Sequence, residues 1–345
     1  MTKGLYRFAL LVACATFFLI IAGALVTSHD AGLATADWPL TDGKFLPKVT
    51  VLGISTTGVN MVGNLFWEHG HRMVATTVGL LTIGLVFYLY RGELRKWLQP
   101  RLVRMRLSKS VDVPYRGEPR RWVRRLGVAA LIGVVAQGLL GGLTVKLMLP
   151  LAVSTAHATL AQLFFCTTVS LAVFTSSSWI QSRPTMEEQG SVAVRYLCIA
   201  AAATIFFQLI LGATLRHSAT WDKPLPTDLL LTHIGGAIAV MVILGSAALT
   251  VLRRHGSEKF LARPAQIALA LLALQVLLGI AAYWTRTISP NDPQPLQPMV
   301  GITVAHVACG ALVFATTIVL TLRAFKVLRA PDTAINFSSS PKIVV

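Results

Sequence analysis

Residues 66–90 read FWEHGHRMVATTVGLLTIGLVFYLY. From Trp67 onward this run is apolar for long enough to cross, as a helix, the roughly 30 Å hydrocarbon core of a bilayer. It carries a histidine, His71, near its start. An ionisable side chain at that depth is costly and is read first as functional. Outward from this stretch the same kind of run recurs, giving spans 8–27, 67–90, 124–144, 152–174, 193–214, 229–251, 265–284 and 300–322. The pattern predicts an all-α integral membrane protein with eight transmembrane helices. Composition agrees: 13% of the residues are charged, where a soluble domain carries about a quarter.

The formal net charge of +17 would suit a nucleic-acid partner, but its placement argues against one. With the N-terminus on side one, the loops of that side hold 24 of the 31 Lys and Arg, the opposite loops hold 6, and Arg72 lies inside a span. Positive loops stay in the cytoplasm, so both termini are expected there, as an even number of spans requires. The basic segment 91–125 reads as a solvated linker lying against anionic lipid head groups. Cys14, Cys166, Cys198 and Cys309 all fall within spans, without CxxC or CxxCH spacing, and read as small packing residues. The first apolar run is too long for an ordinary signal segment and lacks an evident cleavage site, so it is expected to be a retained helix. No Arg-rich transit peptide precedes it, which favours a bacterial cytoplasmic membrane.

An internal repeat organises the spans. The third carries Gln137 and Gly141, the fifth Gln208 and Gly212, the seventh Gln275 and Gly279, each as Gln-x-x-x-Gly. The first keeps the glycine as Gly23 but has Leu19 in place of the glutamine. Each odd span leads through an outer loop to an even span with a histidine near its outer end: His71, His157, His233 and His306. The unit is a helical hairpin in four copies, and two hairpins make a four-helix bundle. The expected architecture is two pseudo-symmetric bundles, 1–182 and 183–330, cut in the Arg183 to Glu188 loop, followed by a tail 331–345 read as disordered.

The residues one before the four histidines are Gly70, Ala156, Thr232 and Ala305, and those four after are Ala75, Ala161, Ala237 and Gly310. All are small, and positions i and i+4 share a helix face. Each imidazole therefore looks across a shallow surface, which suits a flat macrocycle and also suits close helix packing. A compact zinc or copper site would need all four rings around one ion. Matched depths in two bundles hold them more readily as pairs, so bis-His ligation of two haems is expected, by His71 with His157 and by His233 with His306. His29, His69, His217 and His255 lack this regularity and read as solvated. Outward-pointing propionates would find Arg216, Arg286 and Lys146 after the odd spans, with Arg72 a further candidate beside the first histidine.

One acid breaks the symmetry. Glu68 stands three residues before His71 and shares its helix face, where the other repeats have Ser154, Leu230 and Thr303. It could take a proton or stabilise positive charge on a substrate carbon. It could equally be a helix N-terminal acid favoured by the dipole or the partner of Arg72. With chemistry at Glu68 the protein is a haem-modifying oxidoreductase. Without it, the residues describe a dihaem b-type membrane electron-transfer protein, or a transporter using histidines as proton relays.

The ordered set Ala31-Gly32-Leu33, Asp37-Trp38-Pro39-Leu40, Glu68-x-x-His71-Arg72, the later single histidines and the Gln-x-x-x-Gly hairpins resembles the haem A synthase family, over Gly23 through Arg323. The resemblance implies oxidation of a ring methyl of haem O to a formyl group by successive hydroxylations, for assembly of haem-copper terminal oxidases. It implies that His71 and His157 flank the substrate haem O in the N-terminal bundle, that His233 and His306 ligate a haem b cofactor, and that Glu68 is catalytic. Delivery by haem O synthase and an external electron carrier follow from the same resemblance, the charge asymmetry puts the haem sites toward the periplasmic side, and a homo-oligomer is left open. Many bacterial members carry a cysteine pair in the first outer loop. Residues 28–66 contain none, which leaves the electron carrier unidentified.

Overall fold

The computed structural model describes residues 3–48, 50–51, 54–55, 58–104, 119–181, 183–188, 193–219, 225–288 and 295–329. Eight helices among them are long and apolar enough to cross a membrane. They are α1 (Lys3–Ser28), α2 (Asn64–Arg104), α3 (Arg121–Lys146), α4 (Leu151–Thr175), α6 (Val194–Ser218), α7 (Thr227–His255), α8 (Lys259–Thr287) and α9 (Gln297–Val327), with a one-turn α5 (Ser177–Ile180) after α4. Short strands β1 (Thr50–Val51) and β2 (Ile54–Ser55) pair in the loop between α1 and α2. All eight predicted spans are present, and most extend past their predicted ends, because apolar runs mark the hydrocarbon-facing part of a helix and miss its polar terminal turns.

The largest difference is in α2. The segment 91–125, expected to be a linker, is helical at both ends: residues 91–104 continue α2, and α3 begins at Arg121. Glu, Leu, Arg, Lys and Gln favour helix there. The long cations also find local partners, Arg91 over the Tyr88 ring at 4.4 Å and Arg101 over Trp97 at 3.6 Å. Arg124 bridges back to Glu93 at 3.1 Å. Residues 105–118 of that segment, Lys223 and the tail 331–345 lie outside the described residues.

Helix α1 packs on α2 and α4, and α3 on the same two; α6 packs on α7 and α9, and α8 on the same two. The two sets meet through α1, α4, α6 and α9. In lipid, helices gain little from burying apolar surface against one another, so close backbone approach has to hold them. Ala247, Ala248, Ala265, Ala268 and Ala311 accordingly lie fully buried in the shared core, which Ile20 of α1 and Phe165 of α4 also enter. Phe18, Leu80, Phe87, Ile132 and Phe207 face outward, an apolar surface that only a bilayer tolerates. Cys166, Cys198 and Cys309 are buried packing residues as expected, but Cys14 is exposed on α1.

Gly4 of α1 meets the Tyr88 hydroxyl past the middle of α2, whereas Gly23 meets His71 near its start. The hairpin is antiparallel, and the three hairpins that follow repeat it. All four histidines therefore lie at one end of the molecule, six to nine residues into their helices. At 1.5 Å per residue that is roughly 10 Å below the helix starts. At the opposite end, the expected cut between halves is pinned: β3 (Met186–Glu187) pairs with β4 (Leu328–Arg329), and the buried Glu188 carboxylate accepts from Arg195 N and Nε at 3.0 Å each.

Candidate functional site

Four glycines explain how the histidines sit. A methyl group added at Gly23, Gly141, Gly212 or Gly279 would stand 3.2, 3.1, 3.0 and 3.0 Å from Cε1 of His71, His157, His233 and His306, respectively. Each ring thus lies on a bare stretch of the preceding helix. The glutamine of the repeat is one turn earlier on the same face. Gln137 and Gln208 donate to the carbonyl oxygens of His157 and His233 at 3.0 and 2.8 Å, and the Gln275 amide nitrogen lies 3.3 Å from His306 Nε2. The Gln-x-x-x-Gly motif is therefore a seat for the next histidine, a role its spacing alone does not reveal. The small residue at Gly310 serves a different purpose from the one expected: the Gln275 amide lies 3.2 Å from where its Cβ would be, so there the cleared space is used for helix packing.

One iron bonded to two imidazole nitrogens at about 2 Å each puts the ring centroids roughly 6 Å apart. His233 and His306 have centroids 6.5 Å apart with ring planes at 70°, so the pair fits such an iron. In the other set, His71 lies within coulombic range of His157. Nδ1 of His71, His157 and His306 and Oε1 of all three glutamines are buried without partners. Such orphans are rare in a finished core. The geometry of His233 and His306 fits a bis-imidazole haem, and the matching seats of His71 and His157 follow the same pattern.

The first site is covered by a folded loop, residues 35–41, that has no counterpart among the described residues at the second. Glu68 is buried; its carboxylate accepts the Thr35 amide at 3.0 Å and pairs with Arg72. The same guanidinium donates to the carbonyl oxygens of Asp37 and Leu40 at 2.9 and 2.6 Å and to the Thr41 hydroxyl at 3.2 Å. Arg72 is thus committed to folding residues 35–41 over the helix ends, which weighs against its expected propionate role. Trp38 lies on α3 at Gly142, where an added Cβ would be 2.5 Å from the indole. Asp37 closes the turn: Thr35, Gly43 and Asp42 all donate to it. These bonds, led by the Thr35 hydroxyl, hold the Asp37 carboxyl below the usual carboxylate range. The Asp37-Trp38-Pro39-Leu40 motif is in this way a fastening, not a ligand set.

The reading of the other histidines as solvated is overturned for two. His69 is 3% exposed and His255 7%. His69 Nδ1 bonds the Thr41 hydroxyl at 2.9 Å under the folded loop, a burial that a span-by-span reading cannot see. His29 stacks on Trp67 with centroids 4.1 Å apart, and His217 is half-buried. Among the expected propionate partners, Arg216 and Arg286 lie half-buried within coulombic range of one another, and Arg216 reaches across to the Ser28 hydroxyl at 2.8 Å. Lys146 is exposed at the end of α3. Thr35, Trp38 and Thr41 are the site residues that sequence reasoning missed.

The family model for COX15-CtaA, cytochrome oxidase assembly protein, matches residues 6–221. Among similar proteins, the haem A synthase of Methylobacterium sp. (strain 4-46) is 35% identical over 158 residues, which is 45% of this chain and 37% of that protein. The haem A synthase of Bacillus licheniformis is 21% identical over 303 residues, 83% of this chain and 88% of that protein. That of Symbiobacterium thermophilum is 26% identical over 295 residues, 80% and 85%.

Proposed function

Because the chain belongs to the COX15-CtaA family of cytochrome oxidase assembly proteins, we propose that this multi-pass membrane protein acts as a haem A synthase. The reading takes α1–α4 and α6–α9 as two pseudo-symmetric bundles, with the termini in the cytoplasm and the histidines toward the periplasm of a bacterial inner membrane. The observation that carries it is the unequal equipment of two otherwise matched histidine pairs: among the described residues, only the first has a buried carboxylate one turn away and a loop folded over it.

In this reading His71 and His157 hold haem O from its two faces, as supplied by haem O synthase. Glu68, on the same face of α2 as His71, takes a proton or stabilises positive charge as the ring methyl is hydroxylated in succession to a formyl group. The Thr35 amide and Arg72 fix the carboxylate, and the 35–41 loop restricts water above it. His233 and His306 would hold haem b, which when bound supplies one-electron transfer to an external carrier. Arg216 and Arg286, at the same end, would meet the propionates.

Haem extraction and chromatography of the purified protein test this. Haem b together with haem O or A is expected. Haem b alone in both sites would turn the assignment to a dihaem electron-transfer protein, and absence of a Soret band from haem-replete cells would defeat the haem reading.

A further inference from the structure

A cavity of about 580 Å³ lies at the end of the molecule opposite the histidines, where α4 and α5 meet α8 and α9. Its mouth carries Arg183, Lys259, Arg263 and Arg323, against the single acid Glu258. Glu258 is already used: it caps α8 through the Phe260 amide at 3.0 Å and meets Arg183 at 3.3 Å. Arg183 and Arg323 both lie against the Phe260 ring, at 4.1 and 4.6 Å, and Arg183 and Arg263 are within coulombic range of Arg323. Arg323 donates to the Phe260 carbonyl at 3.0 Å, yet its Nε is buried without a partner. Four converging cations with one acid repel one another unless an anion joins them.

Below the mouth the lining turns apolar, with Phe165, Ile267 and Leu312. From Lys259 to Ile267 the groove descends roughly 12 Å along α8, into the part of the helix that lies in hydrocarbon. A free phosphate or nucleotide would use the cations and leave this wall unfilled. We propose that the groove binds an anionic glycerophospholipid of the adjacent leaflet, its phosphate among Arg263, Arg323 and Lys259 and an acyl chain along Phe165 and Leu312. The lipid would fill the seam between the two helix sets. The inference is independent of the haem assignments.

The test is native mass spectrometry of the full haem-loaded protein, equilibrated with equal amounts of phosphatidylglycerol and phosphatidylcholine. Preferential retention of phosphatidylglycerol is expected. Each cation near the surface contributes about fivefold in affinity, so the double variant Lys259→Gln/Arg263→Gln should lower that retention roughly twenty-five-fold. Both positions are exposed, so the helical content and Soret band should stay unchanged. Thr316→Phe fills the apolar part, leaves every charge in place, and should abolish retention too. Equal retention of the two lipids by the unaltered protein, or full retention by both variants, would overturn the proposal. So would displacement by millimolar inorganic phosphate, which would mark a site for a soluble anion.

Discussion

The two histidine pairs are seated alike and secured differently. His233 and His306 rest on Gly212 and Gly279 with a glutamine beside each, and short connections follow. In the first pair only His157 has its glutamine, Gln137. The His71 hairpin has Leu19 in that place and is secured from outside, by Glu68, Arg72 and the loop they fasten. A rigid seat suits a resident cofactor. A seat closed by a loop, with a buried ion pair beside it, suits a ligand that must enter, react and leave. Loops of this kind come from the less stable end of a structure.

The most severe break in that comparison is Glu68→Gln. Loss of an acid–base group costs about a hundredfold or more in rate, so haem A formation should vanish while haem b remains bound. Retained conversion of haem O would end the catalytic assignment. Leu230→Glu, the same acid in the second pair, should confer nothing, as chromatography of extracted haem would show. His306→Ala comes next: the pyridine haemochrome should fall to about half the haem b and O total, because one of two bis-His sites loses a ligand.

Removing one partner of a buried ion pair costs about 3–5 kcal/mol. Arg72→Ala should therefore free the 35–41 loop, seen as protease cleavage there, with the second site intact. Gly279→Val drives side-chain atoms into His306 and should destabilise by about 1–3 kcal/mol. The same change at Gly23 should cost as much, by thermal melting in detergent, if the seats are equivalent. The smallest effects concern the fastenings. Gln208→Leu should lose about 1 kcal/mol. Leu19→Gln, which adds the missing tie, should lose nothing. Asp37 has its carboxyl pKa lowered on folding, so its contribution is present above the unfolded value and is lost as pH falls through the folded one. The protection of the Asp42 and Gly43 amides, taken relative to intrinsic exchange, should be flat around neutrality and fall only in strong acid.

The eight spans, the hairpin repeat and the four histidines were legible because each is local. Span length is set by bilayer thickness, and the repeat by a constant spacing along one chain. The Glu68 asymmetry was visible for the same reason, as an acid one turn from a histidine. The burial of His69, the purpose of Trp38 and the commitment of Arg72 were not legible, because they depend on a loop of some thirty residues returning to the helix it precedes. The helical extension of 91–104 escaped notice because a run of charges reads as linker when only hydropathy is weighed.

By itself, then, the sequence determined the membrane class, the number of crossings and the depth of the four imidazoles, since the cost of exposing backbone and charge to hydrocarbon leaves few alternatives. The tertiary structure decided how the glycines and glutamines of the repeat meet the histidines, and which groups Arg72 touches. Those depend on contacts between helices tens of residues apart, where packing sets the distance and no periodicity along the chain records it.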